Sequence, residues 1–228
     1  MKDITGKYEL PDWWNKSLDN RYDDWLEKYT RVDVGYDEYV GQFTFNTRKY
    51  TGEWLLNEIK KDGEDVKVLD VGCGKNPFKG KVKNVIGVEP GTWGNADMQL
   101  NLDGAWNLFK PNTFDWVLAI GILHHHDTDD IHLMIRQLMD LVKPGGKVAC
   151  LCKPFANDKE APYLYPWSFE TTKTFTALHN LKYYLEPVED YTILDKIPND
   201  IKLYEAVTNN KTRERIFWIW EKDTTQKK

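Results

Sequence analysis

The chain has 228 residues, with 31 Lys and Arg against 36 Asp and Glu, a net charge of -5, and 41% hydrophobic residues beside 29% charged ones. That length and balance fit one domain with a small appendage and exclude a disordered or collagen-like chain. The acidic balance disfavours a general nucleic-acid binder, which needs a basic face to neutralise phosphates.

Three cysteines, Cys73, Cys150 and Cys152, are too few for a disulfide framework and odd in number. The run from Met1 to Gly6 lacks the apolar core of a signal peptide, and no long uncharged apolar stretch predicts a membrane span. A reducing, cytoplasmic setting is expected.

Residues 1–46 are rich in Trp, Tyr and Asp without clean periodicity, and are expected to form an aromatic N-terminal cap on a domain of residues 47–228. A helix is predicted over 47–61, where Thr51, Leu55 and Ile59 step by four and Gly63 follows as a stop. Short β-branched runs predict strands over 66–71 and 85–89, with a shorter third over 98–102. The fourth and clearest strand is 114–120. A helix follows, started by Asp127 or Thr128 and carrying a buried stripe of Ile131, Met134, Ile135, Leu138, Leu141 and Val142. Pro144-Gly145-Gly146 stops it and turns the chain into a fifth strand over 147–152. Beyond that, a helix over 168–184 and strands over 191–197 and 213–220 are expected. Near-continuous apolar strands alternating with helices indicate a parallel sheet covered on both faces.

The first predicted strand runs into Gly72-Cys73-Gly74-Lys75-Asn76-Pro77. Gly72 and Gly74 let the backbone turn sharply and come close to a ligand, as at nucleotide-binding loops. Pro77 stands where the dinucleotide fingerprint needs its third glycine, and it has no N–H for a pyrophosphate, which counts against NAD. Glu89 ends the second strand at the spacing of an acid that accepts hydrogen bonds from ribose hydroxyls.

These blocks, VLDVGCGKNP, VIGVEP, ADMQLNLDG, FDWVLAIGILHHHD and LVKPGGKVACLCKP, stand in the order and spacing of class I S-adenosylmethionine-dependent methyltransferases, and the chain resembles that family over residues 66–155. The resemblance implies an α/β Rossmann-like fold: seven mostly parallel strands, helices on both faces and an antiparallel last strand. It implies S-adenosylmethionine as cofactor. Asp70, Gly72, Cys73 and Gly74 would line its methionine and ribose part, Glu89 with Pro90 its ribose hydroxyls, Asn101 and Leu102 its adenine, and Ile120 and Gly121 the methyl-donor side. The family commonly writes a third loop glycine near position 76, where this chain has Asn76. A side chain at Gly72 is expected to enter the cofactor's space.

The histidines after the fourth strand divide by role. His124 and His125 are the candidates for a base at the acceptor; His126 is expected to face solvent. Cys150 and Cys152 share one strand face, but zinc wants four ligands and no second pair exists, so they read as buried small hydrophobes and no metal is expected.

The acceptor is expected to be a small molecule. Ala119-Ile120-Gly121-Ile122 replaces the Asp/Asn-Pro-Pro-Tyr/Phe signature of amino-methylating DNA enzymes, and the Pro-Cys of cytosine enzymes is absent. Protein, RNA and glycan acceptors stay open. So do two other readings: a cofactor-binding protein without turnover, and a nicotinamide-dependent oxidoreductase.

Overall fold

The computed structural model describes residues 48–90, 95–123, 128–152, 167–190 and 215–224. In chain order they form α1 (Glu53–Lys61), β1 (Lys67–Val71), β2 (Asn84–Val88), α2 (Leu102–Leu108), β3 (Phe114–Ile120), α3 (Thr128–Leu141), β4 (Val142–Cys152), α4 (Phe169–Leu178), β5 (Lys182–Glu189) and β6 (Ile216–Glu221). One six-stranded sheet runs in the order β2-β1-β3-β4-β6-β5. The first four strands are parallel, and β6 lies antiparallel between β4 and β5.

Strand side chains alternate between two cores, because successive residues of a strand point to opposite faces. Leu69, Val117, Ala119, Val148, Cys150, Trp218 and Trp220 pack with Ala105, Ile131, Ile135 and Phe175 of α2, α3 and α4. Val68, Trp116, Leu118, Ala149, Leu151, Phe217 and Ile219 pack with Leu55 and Ile59 of α1. The whole predicted stripe of α3 is buried. Helices therefore cover both faces, and the parallel strands carry their carboxyl ends to one rim. At the other end, buried Lys147 lies against the rings of Trp116 and Tyr184 and donates to Asp62 at 2.6 Å.

The structure departs from expectation in five places. Among the described residues there are six strands, not seven. The predicted third strand is reduced to a single bridge, Val88 to Met98, because Asn101 accepts a hydrogen bond from Gly104 N at 2.8 Å and starts α2 instead. α1 begins at Glu53, since Tyr50 and Thr51 are bound to Asp190 before the helix can start. The turn at Pro144-Gly145-Gly146 is a register shift inside β4, with Gly145 at φ 77° and its N–H on Lys222 O. The helix predicted to reach residue 184 ends at Leu178. His179 and Asn180 (φ 52°) turn the chain, and β5 follows. The strand predicted over 191–197 lies outside the described residues, whereas that over 213–220 is β6.

No helix among the described residues is long and apolar enough to cross a membrane.

Candidate cofactor and active site

At the rim where the parallel strands end, β1 passes into a loop with positive φ at three alternate positions: Gly72 (65°), Gly74 (50°) and Asn76 (53°). Glycine adopts this conformation without strain, and Asn tolerates it better than most residues. The loop is tied to the next strand by Cys73 N–H donating to Val88 O at 3.1 Å, and closed on itself by Asn76 N–H to Cys73 O at 2.8 Å.

Glu89 follows β2 directly and is buried. Its Oε2 accepts from Gly74 N at 3.2 Å, so the acid and the glycine loop lie side by side at this rim. A carboxylate here can accept two vicinal hydroxyls as well as the loop amide. Beneath it, Asp70 is also buried. Burial first, and then the charge of Glu89, pushes its carboxyl up to about 8. Cys73 is buried too. Its thiol is pushed far up by burial and by the charges of Asp70, Glu89 and Asp97, so it packs and does not act as a thiolate.

The other expected residues divide. Ile120, half-buried, ends β3, and Gly121 (φ 80°) donates to Leu151 O at 2.8 Å. Pro90 is half-buried, and its carbonyl accepts from Gln99. Asn101 is exposed with its carboxamide occupied as the cap of α2, and Leu102 is buried in the core beside Ala105. A Cβ on Gly72 would strike Ile122 Cγ2. That glycine therefore lets the loop pass against the end of β3, a different reason from the expected intrusion into cofactor space. His124 and His125 lie outside the described residues. Cys150 and Cys152 are buried on one face of β4, their thiols raised by burial. Among the described residues no group of three His, Cys, Asp or Glu is placed to hold a metal ion.

Two acids escaped the sequence reading. Asp97 accepts from Gly87 N at 2.9 Å, from Asn76 Nδ2 at 3.3 Å and from Lys79 Nζ. Burial pushes its carboxyl up, but those three donors outweigh burial and hold it below the usual carboxylate range. Asp190, fully buried after β5, accepts from Tyr50 N at 2.8 Å and Thr51 Oγ1 at 2.7 Å, while its carbonyl takes Arg48 Nη1. The only local signal for Asp97 was its place in the ADMQLNLDG block; Asp190 had none.

Comparisons with known proteins bear on the family and the fold. The family model described as a methyltransferase domain matches residues 42–186. No curated protein matches the chain. Among solved structures, 1,6-didemethyltoxoflavin-N1-methyltransferase of Burkholderia thailandensis, bound to 1,6-didemethyltoxoflavin and S-adenosylhomocysteine, is similar at 14% identity and TM-score 0.59, over 95% of this chain and 93% of that one. A SAM-dependent methyltransferase of Archaeoglobus fulgidus is similar at 13% identity and TM-score 0.53, over 76% and 96%. Phosphoethanolamine N-methyltransferase 2 of Haemonchus contortus is similar at 16% identity and TM-score 0.53, over 76% and 53%.

Proposed function

We propose that this chain, which belongs to the methyltransferase-domain family and is an S-adenosylmethionine-dependent methyltransferase, transfers the methyl group to a small molecule. The observation that carries the donor side is Glu89 Oε2 on Gly74 N at the carboxyl rim, over a loop with positive φ at alternate positions. The residues fit the cofactor: a buried acid for the ribose hydroxyls, a glycine loop that lets backbone approach, and an apolar border from Ile120 and Ile122. When bound, S-adenosylmethionine supplies an electrophilic methyl group on a sulfonium. Glu89 and the Gly72–Gly74 loop hold and orient it, so that transfer rests chiefly on in-line positioning.

The acceptor side follows from where the chain passes. Cys152, Ile216 and Glu189 are in register across β4, β6 and β5, and Asp190 binds Arg48 beside them. Segments 1–47, 153–166 and 191–214 are thus flanked by described residues at the rim that carries Glu89. Their sequences hold Trp13, Trp14, Trp25, Tyr163, Tyr165 and Tyr191, side chains suited to an organic acceptor. The 1,6-didemethyltoxoflavin bound by the Burkholderia neighbour supports the same reading. Where the acceptor must lose a proton, His124 or His125 takes it. The aromatic cap of residues 1–46 belongs to this proposal.

Thermal unfolding with S-adenosylhomocysteine, and with NAD as control, tests the donor side. A ligand at about 100 times its Kd adds about 2.7 kcal/mol, or about 5–10 °C in a chain of this size. No shift, or an equal shift with NAD, refutes the site. A methyl-transfer screen in which only protein or RNA fractions become labelled refutes the small-molecule acceptor.

A further inference from the structure

We propose that Asn76 and Asp97 are positioning residues for donor binding, a brace that holds the glycine loop and Glu89 in place from the outer edge of the sheet. This rests on the donor site proposed above.

Asn76 occupies the third positive-φ position of the loop, where glycine would supply the conformation alone. Its side chain is buried and crosses over Gly87, with Nδ2 donating to Asn95 O at 3.2 Å and to Asp97 Oδ2 at 3.3 Å. Gly87 makes room for that crossing: a Cβ there would lie 2.5 Å from Asn76 Nδ2 and 2.8 Å from Cys73 Sγ. Asp97 gathers Asn76, the Gly87 amide and Lys79, and Lys79 N–H returns to Asn76 O at 3.0 Å, which closes a ring of contacts.

The stretch that carries Asp97 also grips both parts of the donor site. Asn95 N–H donates to Gly74 O at 3.1 Å, and Met98 O accepts from Glu89 N at 3.2 Å. The brace thus reaches the loop glycine and the acid through their own backbones. Both hydrogens of the Asn76 amide face acceptors, and its Oδ1 is buried without a partner. The side chain is held by what it donates, so an isosteric carboxylate reverses its role.

The test is calorimetric titration of S-adenosylhomocysteine into the full chain, wild type, Asn76→Gly, Asn76→Asp and Asp97→Asn, at a temperature where circular dichroism shows each folded. Asn76→Gly keeps the backbone conformation and removes two hydrogen bonds, so binding weakens about tenfold. Asn76→Asp weakens it further at pH 8, because the introduced carboxylate faces Asp97 and the Asn95 carbonyl with Glu89 and Asp70 close by; Lys79 is the one cation in the ring. Its affinity recovers toward the Asn76→Gly value near pH 5. A purely structural role would lower the melting temperature and leave the affinity of folded protein unmoved. Asn76→Gly and Asp97→Asn both binding within twofold of wild type overturn the brace. A wild type that does not bind the ligand overturns the donor site instead.

Discussion

Replacing Glu89 by Gln separates two roles of one buried carboxylate. The change keeps the volume and one acceptor oxygen for the Gly74 amide, now 3.2 Å from Oε2, but removes the charge. Hydrogen bonds to a charged group contribute about 1 kcal/mol more than neutral ones. With two ribose hydroxyls served, affinity for S-adenosylhomocysteine falls by about 2 kcal/mol, or roughly 30-fold in Kd. Glu89→Ala also leaves the Gly74 amide unsatisfied in a buried place, and falls a further tenfold or so. Stability moves the other way. The Glu89 charge is one cause of the raised Asp70 carboxyl, so neutralising it lets Asp70 ionise more readily and makes Glu89→Gln at least as stable as wild type at pH 8. Titration calorimetry and melting temperature at that pH give both readings. A Glu89→Gln protein that binds within threefold of wild type, or one whose melting temperature falls along with its affinity, refutes this account.

Two further outcomes follow from the buried acids. Asp70 keeps its proton to about 8 in the fold and only to about 3.9 when unfolded, so the folded chain binds the extra proton in between. Its contribution is fully present below about pH 4 and is lost by about pH 8, and unfolding free energy declines across that window by up to roughly 1.4 kcal/mol per pH unit. Asp70→Asn flattens the decline in urea denaturation between pH 5 and 8; equal slopes for the two proteins refute it. Asp190→Ala strands Tyr50 N and Thr51 Oγ1, costs about 2–5 kcal/mol and lowers the melting temperature by about 5–15 °C, with Asp190→Asn intermediate. A loss of under about 1 kcal/mol for the alanine variant, on the same scale, refutes the clamp.

The central sheet was legible because burial on both faces writes itself as apolar runs. β1, β2 and β3 fall within a residue of their predicted bounds, and α3 shows its stripe at helical spacing. β5 was hidden for a physical reason. As an edge strand it alternates exposed and half-buried residues, and it tolerates Pro187, which argues against a central strand. The strand expected over 98–102 was overridden by one side chain, Asn101, whose capping bond favours helix. At the site, Gly72, Gly74 and Glu89 could be singled out from spacing, since a glycine turn and an acid at the next strand end are local signals, but the bond between Gly74 and Glu89 could not. Asp97 and Asp190 could not. Each acts through partners brought together by the fold, in the case of Asp190 about 140 positions away. Asn76 showed in sequence only as a missing glycine, although its left-handed backbone and its reach over Gly87 make it a substitute with a side chain to use.

β6 comes after every other described strand in the chain, yet it stands inside the sheet, and among the described strands it is the one that β5 pairs with. Until residues 216–221 arrive, the apolar edge of β4 is open and β5 lacks its partner among the described strands, so the growing chain carries two sticky edges until β6 is made. The same arrangement makes the protein divisible. A chain severed between residues 190 and 215 yields a large fragment with one vacant slot and a short strand whose register on both sides is already set. Recombining such pieces would restore the sheet by strand insertion, so the fold has the layout of a split-protein reporter.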